Sequence, residues 1–361
     1  MQQEPPPGQR PQVGIREADP ELVRPDSRDM LRCLACGHRC RIPEGQAGVC
    51  RVRHNRDGHL EVPFGAVHAL AVDPIEKKPL FHVLPGAQTL SFGMLGCDLH
   101  CAYCQNWTSS QALRDPTAGG TLTEISADDI VEAARSRGCR AVVSTYNEPL
   151  ITAEWARAVF QRAHAEGLLC ALVTNGNTTP EVIDHLRPWI SAANVDLKSF
   201  DDRRYRSLGM PLATVLGGID DLLARGVWVE VTTLVVPGFN DSDAELRAIA
   251  RHLAARSRDL PWHVTAFWPQ YKMSDTPPTP TDSLARARGI GLEAGLRHVY
   301  AGNRPGELAG AEHTLCPGCG ATLIARRGFR VEANRIPDGA CPDCARRVAG
   351  LWTHPTGTPC T

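Results

Sequence analysis

The stretch TLSFGMLGCDLHCAYCQNW, residues 89–107, decides how the rest of the chain is interpreted. Its first seven residues have the apolar and aromatic composition of a short strand. Three cysteines follow at once, Cys97, Cys101 and Cys104, with the spacing C-x3-C-x2-C. This order predicts three thiolates on one loop at the C-terminal end of a strand, where they can hold a metal centre together.

From residue 88 to about residue 302, short β-rich runs alternate with helical ones. Further strands are predicted at 139–147, 168–176, 190–198, 227–238, 262–269 and 296–302. The intervening helices are predicted at 127–138, 151–167, 179–189, 212–226, 242–256 and 284–295. Repeated βα units imply an α/β fold with a parallel sheet and right-handed crossovers. In such folds the chemistry collects at the C-terminal ends of the strands.

Polar residues stand at several of these strand ends. The segments YNEP, VTNG and DLK place Glu148, Asn175, Asp196 and Lys198 beside the cysteine loop. Asp196 and Lys198 share one face because strand side chains alternate, so they can bind a ligand or form a structural ion pair. The last two strand ends add further candidates for substrate contacts, namely His263, Tyr271, Lys272 and Asn303.

The cysteine spacing, with Tyr103 before the third cysteine, resembles the signature of radical S-adenosylmethionine (SAM) enzymes. The resemblance implies a partial (β/α)6 TIM-like barrel and a [4Fe–4S] cluster on Cys97, Cys101 and Cys104, with an open iron that binds SAM. Reductive cleavage of SAM then yields methionine and a 5′-deoxyadenosyl radical. Three cysteines and His100 around zinc are the alternative.

The same resemblance implies roles for the strand-end residues. YNEP is similar to the family's segment that contacts the SAM amino group, with Glu148 as the matching acid. Asn147 and Tyr146 stand where the family has two glycines. Asn175 matches a segment near SAM in glycyl-radical activating enzymes, and Asp196 and Lys198 are placed at the SAM site. LVVPGFND, residues 234–241, also resembles activating-enzyme sequence, and its Pro-Gly pair predicts a turn.

Eight more cysteines form two flanking groups. Two CxxC pairs suit a tetrahedral metal site, so we expect structural zinc in a ribbon-like module, with rubredoxin-type iron as the alternative. These are Cys316, Cys319, Cys341 and Cys344. The N-terminal group can hold zinc or an auxiliary cluster, and His38 can replace one of its ligands. Its members are Cys33, Cys36, Cys40 and Cys50.

Composition bounds the class of protein. The chain has 361 residues, a net charge of −1 and no apolar run near the roughly 20 residues that span a bilayer. No signal-peptide pattern opens it, so we expect a cytoplasmic protein without a membrane partner. The predicted division is a disordered tail (1–29), a cysteine-rich N-terminal module (30–87), the core (88–305), a C-terminal module (306–353) and a second tail (354–361).

The resemblance is closest to the radical SAM component of the AmmeMemoRadiSam group, relatives of pyruvate formate-lyase activating enzyme. It implies SAM, an electron donor such as flavodoxin or ferredoxin, and Memo-like and AMMECR1-like proteins or a protein substrate as partners. Activation of a glycyl radical enzyme is one alternative, and a non-catalytic zinc-binding interaction protein is another. Nucleic-acid binding is disfavoured by the near-neutral charge, despite arginines 326, 327, 330, 346 and 347.

Overall fold

The computed structural model describes residues 14–27 and 29–353, and its first part consists of short antiparallel strands. Two three-stranded sheets form there, in the orders β1-β6-β5 and β2-β3-β4, and β8 leads into the core. The strands are β1 (Ile15–Glu17), β2 (Val23–Ser27), β3 (Met30–Cys33), β4 (Arg41–Pro43), β5 (His54–Arg56), β6 (His59–Pro63), β7 (Ala66–Val67) and β8 (Ala69–Pro74).

The structure contradicts the predicted disordered tail for residues 14–27. There β1 pairs with β6 and β2 pairs with β3. Leu22 is fully buried, and Arg157 Nη1 lies 3.2 Å from Asp19 Oδ2. The segment is ordered because it completes two small sheets, and Ala18 joins their own buried apolar cluster with Ile42, Leu60 and Val62. Of the other predicted tail residues, 1–13, 28 and 354–361 lie outside the described residues.

The centre of the molecule is an eight-stranded sheet in the order β16-β15-β14-β13-β12-β11-β9-β8. Seven strands are parallel neighbours in chain order, and β8 joins β9 antiparallel at one edge. The predicted mostly parallel α/β fold is therefore confirmed, and β8 and β16 extend it beyond six βα units. The strands are β9 (Gln88–Gly93), β10 (Thr123–Glu124), which pairs with β7, β11 (Ala141–Ser144), β12 (Leu169–Thr174), β13 (Ala192–Asp196), β14 (Trp228–Val235), β15 (Trp262–Ala266) and β16 (Val299–Gly302).

Helices follow the parallel strands, and local capping explains where several of them begin. Ser126 and Asp129 form a capping box at the start of α2, and Thr179 Oγ1 accepts a hydrogen bond from Val182 N at the start of α4. The helices are α1 (Trp107–Ser110), α2 (Ala127–Ser136), α3 (Ala153–Ala165), α4 (Pro180–Leu186), α5 (Asp202–Leu208), α6 (Leu212–Ala224), α7 (Asp243–Arg256) and α8 (Thr281–Glu293). In the described part of the chain, no single helix has the length and apolar character to cross a membrane; α5 and α6 would meet that test only as a pair, bent by 91°.

The two faces of the sheet pack against different partners. Val142 and Cys170 belong to the main core with the helices, whereas Ala141, Val143 and Ala171 pack on the segment 75–87. Small side chains on this inner face leave room for that segment at the N-terminal end of the strands. The segment is held across the sheet because the backbone N–H groups of residues 81 and 82 donate to the Glu230 carboxylate at 3.0 and 2.8 Å.

The C-terminal module packs against the same segment. Its strands are β17 (Thr314–Leu315), β18 (Thr322–Arg327) and β19 (Arg330–Asn334). Arg326 is 1% exposed and donates to Phe81 O at 2.7 Å and to Glu76 Oε1 at 3.3 Å. Leu351 N donates to His82 O at 2.7 Å. The module is thus anchored on segment 75–87, and Arg326 is not available to a nucleic acid.

Candidate functional site

The three central cysteines lie on the loop after β9, as the sequence predicts. This loop faces a cavity at the C-terminal ends of the parallel strands. The cavity brings together the residues predicted from four separate segments, which are Cys97, Cys101, Cys104, Glu148, Asn175, Asp196 and Lys198. The shared cavity follows from the parallel topology, since it places the ends of β9, β11, β12 and β13 at one edge.

Local hydrogen bonds orient two of the thiols. Leu99 N donates to Cys97 Sγ at 3.4 Å, and Ser110 Oγ lies 3.1 Å from Cys104 Sγ. Burial, followed by the charge of Asp98, holds the pKa of Cys97 well above its usual value. Burial also raises the pKa of Cys101 to about 12. Thiols in this position ionise when a metal binds and supplies the compensating charge.

The spacing of the three sulfur atoms separates a cluster from a single ion. Ligands of one tetrahedral zinc stand about 3.8 Å apart, given Zn–S bonds of about 2.3 Å. Among the described residues, the three thiols do not form a group whose sulfurs all lie within 4.8 Å of one another. His100 faces a different cavity, beside Arg114 and Lys272. His100 therefore does not line the cavity that the three thiols share.

Glu148 is the acid of the cavity. Its Oε1 accepts hydrogen bonds from Thr174 Oγ1 at 2.7 Å and Leu150 N at 3.1 Å, and its Oε2 accepts from Asn175 N at 2.8 Å. No salt bridge joins it to a basic side chain in the ranges 14–27 and 29–353. Burial, and then the nearby charge of Asp98, raises its pKa to about 8. A buried carboxyl group of this kind suits a ligand amino group.

Asp98 is a site residue that the sequence prediction missed. It is fully buried, and its two carboxylate oxygens accept hydrogen bonds from Asn175 Nδ2 at 2.7 Å and Asn177 Nδ2 at 2.6 Å. Asn175 therefore connects the cluster loop to Glu148 through its side chain and its backbone N–H. The position of Asp98 directly after Cys97 was the available signal, although sequence alone does not show its burial.

Asp196 and Lys198 form the direct ion pair that was one of the two predicted alternatives. Lys198 Nζ lies 2.7 Å from Asp196 Oδ2, and both residues line the cavity. Burial opposes the lysine charge, but Asp196, Cys101 and Tyr103 together outweigh it and hold the Lys198 pKa well above its usual value. The predicted turn at 237–238 supports this loop, because Asn240 Nδ2 donates to Lys198 O at 2.7 Å.

Tyr146 and Asn147 occupy the two positions where the resemblance expects glycine. Tyr146 has a φ of +73°, a left-handed backbone conformation that glycine adopts freely. Its ring points inward, where its hydroxyl lies 3.4 Å from Lys78 Nζ and 3.3 Å from Asp73 Oδ2. Asn147 Oδ1 accepts from Met94 N at 2.9 Å. Side-chain contacts thus hold a conformation that the glycines would reach without them.

The four predicted substrate contacts do not join this cavity. His263 is buried with its Nε2 2.7 Å from Glu230 Oε2. Tyr271 and Lys272 line the neighbouring cavity with His100. Asn303 donates from Nδ2 to Ala266 O at 3.2 Å. His263 is turned inward because it follows Trp262 in β15, where alternate side chains face opposite sides of the sheet.

The C-terminal cysteines converge on one point. Cys316, Cys319, Cys341 and Cys344 have sulfur atoms that all lie within 4.8 Å of one another. The Cys316–Cys344 and Cys319–Cys341 sulfur distances are 3.5 and 3.7 Å, close to the about 3.8 Å expected around one tetrahedral ion. Burial is opposed by N–H groups of Cys319 and Gly318, which lower the pKa of Cys316 to about 6.

Comparison with known proteins identifies this architecture. The family model for the radical SAM superfamily matches residues 93–250. An uncharacterized protein of Methanocaldococcus jannaschii is 38% identical over 322 residues, which cover 88% of this chain and 95% of the relative. The chain belongs to the radical SAM superfamily. The family implies a [4Fe–4S] cluster and SAM as cofactors, and membership of this enzyme superfamily sets aside the non-catalytic interaction protein.

Other known proteins are similar over shorter stretches. The isethionate sulfite-lyase activating enzyme of Oleidesulfovibrio alaskensis is 28% identical over 186 residues, or 48% of this chain and 59% of that enzyme. A radical SAM methyltransferase from Sphaerobacter thermophilus has a TM-score of 0.48 at 19% identity, covering 61% of this chain and 67% of that structure. The matched radical SAM region contains the loop with Cys97 and the strand ends that carry Glu148, Asn175 and Lys198.

Proposed function

We propose that this protein binds a [4Fe–4S] cluster through Cys97, Cys101 and Cys104 and reductively cleaves SAM beside it, to act on a substrate still to be identified. The observation that carries the proposal is the single cavity shared by three separated thiols and the buried Glu148. Three protein ligands leave one iron free to bind SAM. When bound, the cluster and SAM supply a 5′-deoxyadenosyl radical that abstracts hydrogen.

The residues around the cavity have separate roles in binding SAM and in holding the site in shape. Glu148 would accept a hydrogen bond from the amino group of SAM, and Asn175 holds both Glu148 and Asp98 in place. The Asp196–Lys198 pair presents opposite charges to the polar groups of SAM from the adjacent strand end. Segment 75–87 covers the inner face at the N-terminal end, so that water is excluded from below the cavity.

An anaerobic assay tests this function. The protein is reconstituted with iron and sulfide, reduced, and mixed with SAM, and mass spectrometry measures 5′-deoxyadenosine and methionine. We expect both products in equal amounts and only when reductant is present. Protein that contains the cluster but releases neither product, with or without cell extract as a source of substrate, would contradict the proposal.

Substitution of Glu148 by glutamine should weaken SAM binding while keeping the shape of the side chain. The change removes a carboxyl group that can ionise when the SAM amino group binds, and charge-assisted hydrogen bonds contribute enough to predict about 10- to 100-fold lower affinity. Equilibrium dialysis of the reconstituted protein measures it. Glu132→Gln on the exposed side of α2 is the matched control. Equal affinities of the two variants would remove Glu148 from the SAM site.

We also propose zinc as the ion of the C-terminal module, with a structural role, because four cysteine sulfurs leave no open ligand position. The division into modules at 30–87, 88–305 and 306–353 is proposed with one change, since residues 14–27 pair with the first module. A cytoplasmic location is also proposed, because no apolar run in the sequence approaches the length that spans a bilayer.

Activation of a glycyl radical enzyme is the second candidate, favoured by the match to an activating enzyme. It predicts a glycyl radical signal when a protein partner is added to the reduced protein with SAM. We further propose membership of the AmmeMemoRadiSam group, with Memo-like and AMMECR1-like partners and flavodoxin or ferredoxin as donor. Co-purification of those proteins, and SAM cleavage driven by either donor, test these assignments.

A further inference from the structure

The N-terminal module brings four more cysteines against the loop that carries Cys97. We propose that Cys33, Cys36, Cys40 and Cys50 hold a second iron–sulfur cluster that adjoins the first. The site is separate from SAM cleavage, and its occupancy does not depend on that reaction.

Backbone hydrogen bonds bring the four cysteines together in one small lobe, residues 33–50, which we call the knob. Cys33 N donates to Cys40 O at 2.9 Å, which continues the pairing of β3 with β4 and sets the two residues opposite each other. Arg39 N donates to Cys36 O at 3.0 Å and closes the turn between them. Val49 N donates to Cys40 Sγ at 3.4 Å and so brings Cys50 to the same place. The knob has the four thiol ligands of a complete cluster.

The spread of these thiols favours a cluster over a single ion. Among the described residues, no three of the four N-terminal cysteines have sulfurs within 4.8 Å of one another, whereas the four C-terminal ones do. One tetrahedral ion requires separations of about 3.8 Å. A cluster distributes its thiolates over several irons, so its ligands stand farther apart.

A buried donor beside the knob points to the same ligand. Arg53 is 1% exposed and pairs with Glu154 through both terminal nitrogens, at 2.8 and 2.6 Å. Its Nε is buried and has no hydrogen-bond partner among the described residues. Buried N–H groups are rarely left unpaired, and cluster sulfurs accept hydrogen bonds. Arg53 lies three residues after Cys50 and can supply both the bond and a compensating positive charge.

The knob is in direct contact with the loop that carries Cys97, Cys101 and Cys104. A Cβ atom on Gly96 would lie 2.5 Å from Val52 Cγ2 and 3.4 Å from Cys50 O, so Gly96 permits this approach. His38 Nε2 lies 3.2 Å from Asp98 O. Arg114 donates to Cys97 O through Nη1 and to Val49 O through Nη2. Residues adjacent to Cys50 and to Cys97 are therefore in direct contact, which places the two clusters side by side.

Metal analysis of the full chain without its first cluster tests the second site. The variant Cys97→Ala, Cys101→Ala, Cys104→Ala is reconstituted anaerobically, and iron, acid-labile sulfide and zinc per chain are measured. We expect sulfide and iron to remain, and to disappear when Cys36→Ser and Cys50→Ser are added. Zinc without sulfide in the triple variant, or sulfide that survives the added serines, would overturn the proposal.

A second variant keeps the test valid if the triple variant misfolds. Cys36→Ser and Cys50→Ser alone keep Cys97, Cys101 and Cys104, and should lower the wild-type iron and sulfide content by about half for two clusters of equal size. Unchanged sulfide content would refute the second cluster. Sulfide retained in the triple variant alongside wild-type protein that cleaves no SAM would overturn the proposed function and leave this inference standing.

Electron paramagnetic resonance tests the adjacency. With both clusters reduced, the wild-type spectrum should be broadened by spin–spin interaction relative to the sum of the two single-cluster variants. A spectrum equal to that sum would place the clusters far apart and contradict their proposed adjacency.

Discussion

Replacing Cys101 by alanine is expected to abolish the formation of 5′-deoxyadenosine from SAM. Cys101 is 7% exposed and lines the cavity between the other two cysteines of its loop. Two thiolates cannot hold a cubane that needs three protein ligands and one open iron, so the product should fall by at least on the order of 10³-fold. Mass spectrometry of the anaerobic, reduced reaction measures the loss.

Cys139→Ala provides the matched control for this experiment. Cys139 is also buried, but it belongs to the hydrophobic core and not to the cavity lining. Its loss removes a small apolar group, and product formation should stay within about twofold of the wild type. SAM cleavage by Cys101→Ala at the rate of Cys139→Ala would show that the predicted cluster is not the reductant of SAM.

The second large effect is expected at the C-terminal module, where Cys341→Ser should release the metal and open β17–β19. The hydrophobic core of this module is small, with Leu323, Ile324, Ile336 and Trp352 as its main apolar residues. Structural zinc contributes about 10–16 kcal/mol in small zinc-finger peptides, so the metal supplies a large part of the stability of such a module. Hydrogen exchange of the strand amides, with zinc content per chain, measures the effect.

Asp343→Ala is the control within the same turn. Asp343 lies between two of the cysteines and forms an exposed salt bridge with Arg335 at 2.7 Å. Such pairs contribute about 0–1 kcal/mol, so zinc content and exchange rates should barely change. Full protection of β18 in metal-free Cys341→Ser would mean that the anchor through Arg326 suffices, and that the metal has another role.

The order of the site along the chain could be predicted because it depends on local pattern. Apolar periodicity in the sequence predicts each βα unit. Polar residues stand at the C-terminal ends of β9, β11, β12 and β13 or directly after them. Parallel topology then requires those ends to meet. This reasoning, together with the resemblance to radical SAM enzymes, predicted that Glu148, Asn175 and Lys198 lie near the cysteines, and all three line the same cavity.

The same reasoning did not extend to residues whose partners are distant in the sequence. His263 follows the strand pattern equally well, yet it pairs with Glu230 inside the sheet. Residues 14–27 were predicted to belong to a disordered tail. They instead form β1 and β2, which pair with β6 and β3. Neither outcome leaves a local signal, because each depends on which surface the rest of the chain leaves uncovered.

Most strands and helices of the core, the three thiols on one loop and the two flanking cysteine groups were predictable from the sequence, since all of these depend on spacing along the chain. The short strands before residue 75, and the burial and contacts of the polar groups, became known only from the folded structure. Arg326 pairs with Glu76 across 250 residues, and the His38 ring reaches the backbone of Asp98 across 60. Contacts over such separations arise from packing, and packing is a property of the whole folded chain.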